Sequence, residues 1–199
     1  PPHGRALALG VLSTAPCTFI YAAFPMLLAP LALSRLGYSL FDAGKVLLAY
    51  GVPVILLAPA FGRLGQRFNI HAPLACLGAL AGGLGMLPLA DTLDAMSLAT
   101  ALALLGLGHA MSIPAQMTLA TRFSKPESAT AGAPAGARVP GTAAFAGAAC
   151  GAIVAGFLAG ELGAPQALYI LGVASIASAF VFALAFLKLG AGQAQQLPD

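Results

Sequence analysis

The feature that most constrains this chain is the spacing of its charged residues. They divide the sequence into six uncharged windows, each at least 17 residues long: 6–34, 46–62, 72–90, 95–121, 139–160 and 162–187. A helix needs about 20 residues, with a range of about 17–25, to cross the hydrocarbon core of a bilayer. Strands of a membrane barrel are about 9–11 residues long and alternate in polarity, which these windows do not. The pattern predicts an all-α membrane protein with six transmembrane helices.

The composition supports a lipid-facing surface. Charged residues make up 8% of the chain and the mean hydropathy is +0.91, whereas about a quarter of the residues in a soluble domain are charged. The net charge of +3 does not indicate nucleic-acid binding, because the basic residues stand singly or in pairs between apolar spans. The partner that this composition predicts is the lipid bilayer.

The cysteines give no sign of a disulfide framework or a metal site. Cys17, Cys76 and Cys150 are widely separated, each lies in an apolar segment, and no C-x-x-C pattern or local Cys/His cluster is present. Free cysteines in such segments are typical of helix packing. We therefore expect neither a metal site nor a cofactor.

Charge asymmetry predicts the orientation. Seven of the nine basic residues and two acidic residues fall on one side of the membrane, giving +5 there, while the other side carries two basic and four acidic residues, or −2. Cytoplasmic loops carry the excess of Lys and Arg. We expect a multi-pass protein of the inner or plasma membrane with both termini in the cytoplasm.

Small residues recur at four-residue spacing in two of the windows. The pairs are Gly78/Gly82, Gly147/Gly151 and Gly156/Gly160. Small-x-x-x-small pairs let helix backbones approach closely in a bilayer. They predict a tightly packed bundle and say little about function.

The most concentrated polar run is Gly62-Arg63-Leu64-Gly65-Gln66-Arg67-Phe68-Asn69-Ile70-His71, between the second and third windows. We interpret it as a short cationic loop in which the glycines permit a tight turn and close helix approach. It resembles the signature loop of the major facilitator superfamily at six positions: Gly62, Arg63, Leu64, Gly65, Arg67 and Phe68. Gln66 replaces the residue at the acidic position of that loop, and Asn69, Ile70 and His71 replace its Gly and basic run, so this copy of the loop is degraded.

The resemblance implies a fold and a role. In that family the full loop joins helices two and three and a degraded copy joins helices eight and nine, so the chain looks like the C-terminal half of such a transporter, partnered by an N-terminal six-helix half. We expect two three-helix inverted repeats, at residues 1–90 and 91–192, followed by a polar tail at residues 193–199. The chain begins with Pro1 rather than Met, which also favours a piece of a longer protein.

Polar side chains on the first helix of each expected repeat predict the substrate cavity. Transporter sites lie near the midplane, where helices are often interrupted by Gly or Pro. Both helices contain proline, and their polar residues recur at helical spacing. The candidate cavity residues are Thr14, Thr18 and Tyr21 on the first helix and His109, Ser112 and Gln116 on the fourth. The alternative is that these side chains only hydrogen-bond neighbouring helices.

Three functions are compatible with six membrane helices. We favour a secondary transporter that works by alternating access. Because no charged residue lies in the middle of a span, we expect a small hydrophobic or amphipathic solute. Efflux is the direction we expect, although the charges do not decide it. A stand-alone six-helix protein acting as a homodimeric transporter, channel or scaffold is the alternative. An intramembrane enzyme is disfavoured, because neither G-x-S-x-G nor H-E-x-x-H is present.

Overall fold

A computed structural model describes residues 2–122 and 135–194, and these residues form helices joined by short connections. The helices are α1 (Pro2–Ala23), a π-helical stretch (Phe24–Leu28), α2 (Ala29–Arg35), α3 (Leu40–Phe68), α4 (His71–Met86) with a 3-10 turn (Leu87–Ala90), α5 (Ala95–Arg122), α6 (Ala135–Glu161) and α7 (Ala164–Ala194). No strand occurs within the described residues.

Six helical segments of the described chain are long and apolar enough to cross a membrane. The first begins at Thr14 and combines the C-terminal part of α1 with the π-helical stretch and α2, and the others lie in α3, α4 with its 3-10 turn, α5, α6 and α7. Each segment contains one of the uncharged windows or most of it. The prediction of an all-α membrane protein with six spans is therefore confirmed.

Proline explains the irregular middle of the first span. Pro25 has no N–H to donate to the carbonyl of Tyr21, and Pro30 likewise removes a donor one turn later. Between them the ladder widens, so that the Ala29 N–H bonds the Phe24 carbonyl. The side chains of Phe24 and Leu28 are fully buried at this point, so the widened turn is held in the main apolar core.

The bundle is intertwined rather than arranged in chain order. Helix α6 packs along α1, and α3 packs along α5, while α4 lies between α5 and α7. The second span of each half of the chain thus packs against the first span of the other half. Most of the buried apolar residues lie in one cluster formed chiefly by α1, the π-helical stretch, α2, α5, α6 and α7.

The Gly62–His71 segment differs from the expected loop. Residues 62–68 form the last two turns of α3, and only Asn69 and Ile70 lie outside the helices. Asn69 makes the reversal with φ 55° and ψ 36°, the left-handed conformation in which Asn is tolerated at helix C-termini. The prediction of a tight turn at the glycines is therefore wrong. Gly65 serves close packing instead, since a Cβ there would lie 2.9 Å from Nδ1 of His71.

Some expected features fall outside the described residues. The connection between α5 and α6 spans residues 123–134, and the last part of the expected polar tail spans residues 195–199. The first two residues of that tail, Gln193 and Ala194, continue α7.

Candidate functional site

Helices α1, α3 and α5 bring five polar or polarisable side chains together, which we call the His109 cluster. Its members are Cys17, Tyr21, Tyr50, His109 and Gln116. His109 is buried, with 5% of its surface exposed, and the other four are half-buried. The cluster is the principal polar feature among the described parts of the spans.

Glycine on α5 explains how this helix comes so close to α3 and α4. A Cβ at Gly106 would collide with the backbone carbonyl oxygen of Tyr50, so α5 and α3 touch through their backbones at this level. Gly108 makes the same kind of contact with Gly78 of α4. His109 follows directly in sequence, so these crossings fix the position of its Cα relative to α3 and α4.

The ring of His109 is held by two tyrosines. The Tyr50 hydroxyl lies 2.7 Å from Nδ1 of His109, within hydrogen-bond distance. The Tyr50 and His109 ring centroids are 5.6 Å apart at 81°, an edge-to-face arrangement. Tyr21 lies 5.6 Å from the Tyr50 ring and 5.9 Å from the His109 ring. The three rings therefore form one contiguous aromatic surface.

A cavity of about 30 Å³ lies beside His109, between α1, α4, α5 and α7. Cys17, His109 and Gln116 line it, together with Ser112 and Ser175. The Cys17 thiol interacts with the imidazole of His109 and with the side chain of Gln116. A single water needs roughly 10–15 Å³ by this measure. The cavity therefore has room for only about two or three water-sized groups.

The two serines in the cavity wall serve helix packing. The Ser112 hydroxyl donates to the Ala75 carbonyl at 3.3 Å, and the Ser175 hydroxyl donates to the Ala79 carbonyl at 2.9 Å. Both acceptors belong to α4, so these bonds fasten α5 and α7 to the same helix. The hydroxyl protons of both serines are thus already donated in interhelical hydrogen bonds.

The two candidate threonines lie on a neighbouring face of α1. The Thr18 hydroxyl donates within its own helix, to the carbonyls of Thr14 and Ala15 at 3.1 Å each. Its oxygen also lies against Gly147 of α6. Thr14 is half-buried and does not line the cavity beside His109. Of the six candidate cavity residues, the structure brings Tyr21, His109, Ser112 and Gln116 to the His109 region.

Two members of the cluster were missed by sequence reasoning. Tyr50 is the one tyrosine inside the second uncharged window, and a hydroxyl in a span needs a partner. Cys17 lies four residues before Tyr21 and so on the same helix face. Each carried a signal, but nothing local in the sequence links either residue to His109.

The chemistry available at the cluster is that of neutral donors, acceptors and aromatic faces. None of its members is a carboxylate, a lysine or an arginine. Among the described residues no group of three or more His, Cys, Asp or Glu side chains could hold a metal ion. The cluster can therefore hydrogen-bond and stack against an uncharged group that leaves water.

Comparison with known proteins gives the family. A search of curated proteins finds no significant match to the chain. The family model described as Major Facilitator Superfamily matches residues 3–136, more than half of the 199 residues. The match includes α1 to α5 and hence every member of the His109 cluster. The chain belongs to the Major Facilitator Superfamily.

Proposed function

We propose that this chain is the C-terminal half of a secondary active transporter that moves a small hydrophobic or amphipathic solute by alternating access. Family membership makes it a membrane transporter of the major facilitator type, a class that is generally not enzymatic. The observation that carries the finer proposal is the aromatic surface of Tyr21, Tyr50 and His109 where α1, α3 and α5 meet. Transporter sites lie where the repeats meet near the midplane.

The solute class follows from the charges of the cluster. A strongly charged solute leaving water needs an opposite charge in the site, because an unpaired charge in a low-dielectric medium is costly. The His109 cluster offers two tyrosine rings, an imidazole, a thiol and an amide. These groups suit an apolar or aromatic body with one or two hydrogen-bonding groups.

The packing supports two repeats and a second bundle. The second span of each repeat packs against the first span of the other repeat, so that α6 lies on α1 and α3 lies on α5. Two intertwined three-helix repeats produce this arrangement. Only 6% of the most apolar window of α3 is buried, against 50% for the α4 and α5 spans. An N-terminal six-helix half would cover part of α3 and would face the His109 cluster. Residues 1–90 and 91–192 then form the two repeats.

Transport of dyes tests the solute class and the site together. Cells expressing the full-length gene are loaded with Nile red, which is uncharged and apolar, or with calcein, which is polyanionic. We expect outward movement of Nile red. Tyr21→Ala or His109→Ala should slow this movement about tenfold or more, which corresponds to the loss of more than about 1.4 kcal/mol of binding free energy. Tyr169→Phe is the matched control, since Tyr169 is 47% exposed on α7, away from the cluster.

The outcomes separate the proposal from its competitors. Movement of calcein but not Nile red contradicts the proposed solute class. Equal slowing by Tyr169→Phe and His109→Ala contradicts the assignment of the site. Inward movement of Nile red overturns the proposed direction and leaves the site assignment in place.

A stand-alone homodimeric transporter, channel or scaffold is the second candidate, because a copy of the chain could also cover the exposed α3. The gene upstream of Pro1 distinguishes the two. Six further apolar spans in frame, with a fuller copy of the Gly62–Phe68 motif between the second and third, support the half-transporter. A start codon immediately before Pro1 supports the homodimer instead.

A further inference from the structure

We propose that Cys17 and His109 together bind one soft monovalent metal ion, Cu(I) or Ag(I), between α1 and α5. Spacing along the chain does not predict this site, because the two residues lie on different helices. The fold places the Cys17 thiol against the His109 imidazole at the wall of a cavity. This site is independent of the proposed solute and requires no transport.

The His109 ring is already oriented for such a role. Its Nδ1 is hydrogen-bonded to the Tyr50 hydroxyl at 2.7 Å, which leaves Nε2 as the nitrogen that can face Cys17. Histidines that bind metals almost always bond a partner through their other ring nitrogen, which fixes the tautomer and the ring orientation. Tyr50 supplies that partner here.

The number of ligands selects the kind of ion. No third His, Cys, Asp or Glu joins the pair among the described residues, so the four-ligand set that structural zinc needs is not formed there. Thiolate is a soft ligand that selects Cu(I), and imidazole also binds copper. Cu(I) and Ag(I) are stable with two ligands, one sulfur and one nitrogen.

Charge balance favours the same ions. A monovalent cation bound to one thiolate and one neutral imidazole has no net charge. A divalent ion would leave one positive charge, and the lining residues of the cavity include no Asp or Glu to neutralise it. An uncompensated charge in a low-dielectric interior is costly. The cavity volume of about 30 Å³ also suits a single ion.

Binding conserves charge and electrons. The Cys17 Sγ–H bond breaks, the Sγ–metal and Nε2–metal bonds form, and the thiol proton passes to water. The imidazole proton is on Nδ1, which donates it to the Tyr50 hydroxyl oxygen. The metal ion keeps its oxidation state. Because one proton is released per ion, the apparent affinity should fall about tenfold for each unit by which the pH is lowered.

Silver binding to the chain in detergent micelles tests the proposal, since Ag(I) is redox-inert. We expect one ion per chain at this site, with binding weakened at least about 100-fold by Cys17→Ser or His109→Ala and about tenfold by Tyr50→Phe. Cys76→Ser and Cys150→Ser are the matched controls and should leave the affinity unchanged. Unchanged affinity in Cys17→Ser, or equal losses in all three cysteine variants, overturns the proposal.

A second measurement avoids purified variants. In membranes containing the unaltered chain, Ag(I) should protect Cys17 from alkylation by N-ethylmaleimide and leave Cys76 and Cys150 reactive, as mapped by mass spectrometry of the peptides. Protection of all three thiols to the same extent, or of none, contradicts a defined site. Neither result depends on which solute the transporter moves.

Discussion

The hydrogen bond between Tyr50 and His109 joins two helices through side chains that belong to different halves of the chain. Tyr50 is on α3 and His109 is on α5, with 2.7 Å between the hydroxyl and Nδ1. Inside a bilayer, neither the hydroxyl nor the imidazole can replace this bond with a hydrogen bond to bulk water. The bond therefore contributes to the stability of the bundle as well as to the geometry of the site.

Tyr50→Phe should lower the free energy of unfolding by about 1 kcal/mol, the scale found for interhelical hydrogen bonds in membranes. The ring contacts with Tyr21 and His109 are kept, so the loss reports the hydroxyl alone. Unfolding in sodium dodecyl sulfate, followed by far-ultraviolet circular dichroism, measures it. Tyr169→Phe on the exposed face of α7 should change nothing. Equal stability of Tyr50→Phe and the parent chain would contradict the role given to this bond.

Asp94 provides a second test at the residue scale, outside the membrane spans. Its carboxylate accepts the backbone N–H of Ser97 at 2.7 Å, and the Ser97 hydroxyl accepts the Asp94 N–H at 3.0 Å. This is a reciprocal cap at the start of α5. The backbone hydrogen bond from Ser97, followed by its side-chain bond, holds the pKa of Asp94 below its ordinary value of 3.8.

The sign of the pH dependence follows from that lowered pKa. The cap's charge-dependent stabilisation is complete above the unfolded value of 3.8 and is lost as the pH falls through the folded value. We expect faster hydrogen exchange in the first turn of α5 at about pH 2 than at about pH 5, after correction for intrinsic rates. Asp94→Asn should remove this pH dependence, whereas Asp91→Asn should retain it. A pH dependence that survives in Asp94→Asn contradicts the assignment.

The sequence predicted only part of the site, because the spacing of residues along one helix shows which side chains share a face but not which helices meet. The spacing of His109 to Gln116 and the presence of Tyr21 were visible along the chain. The pairing of His109 with Tyr50 and Cys17 depends on how α1, α3 and α5 cross, which no local pattern encodes. Thr18 shows the converse, since its spacing matched Tyr21 while its hydroxyl bonds its own helix.

At the scale of helices, glycine determines where the crossings occur. Two of the three glycine pairs found in the sequence lie at contacts: Gly78 and Gly82 against α5, and Gly147 and Gly151 against α1. The third pair does not, because a Cβ added at Gly160 would meet nothing within 4 Å and one at Gly156 would meet only the tip of Leu27. The small-x-x-x-small motif therefore indicated that helices approach closely, but not which of the three glycine pairs lies at a contact.

Gly106 and Gly51 allow a matched comparison of two helix-interior glycines. A Cβ at Gly106 would strike the Tyr50 carbonyl oxygen, which is backbone and cannot turn away, whereas Gly51 has open space. Gly106→Ala should destabilise the bundle by about 2–3 kcal/mol through overpacking. Gly51→Ala should stabilise it by about 0.5–1 kcal/mol through helix propensity. Unfolding in sodium dodecyl sulfate measures both, and a neutral Gly106→Ala would show that α3 and α5 do not cross there.

The Gly62–Phe68 segment shows why the family resemblance is informative although the predicted conformation is wrong. The residues that resemble the signature motif are in place, but they extend α3 by two turns. Arg63, Leu64, Gln66 and Arg67 all have good helix propensity. The chain reverses at Asn69, where the left-handed conformation is tolerated. Sequence similarity identified the segment, and helix propensity and Asn69 set its structure.

For the whole molecule, the two membrane faces differ in charge, and part of the charge on the acidic face is paired within that face. One of the two basic residues on the acidic side, Lys45, bonds Asp42 at 2.9 Å and lies 4.4 Å from the centroid of the Phe41 ring. Arg63 and Arg67, on the opposite side, are exposed at the end of α3. We therefore propose that the Arg63 side is cytoplasmic.

Labelling of single cysteines tests this orientation. In a background with Cys17, Cys76 and Cys150 replaced by Ala, an impermeant maleimide should label Tyr38→Cys and Thr92→Cys in intact cells and spare Gln66→Cys and Lys188→Cys. All four positions are exposed, so permeabilised cells should label each of them, which controls for reactivity. We expect this labelling pattern because the opposite orientation would move seven basic residues, rather than two, across the membrane. Labelling of Gln66→Cys and Lys188→Cys in intact cells, with Tyr38→Cys and Thr92→Cys spared, would reverse the orientation and leave the six-span fold unchanged.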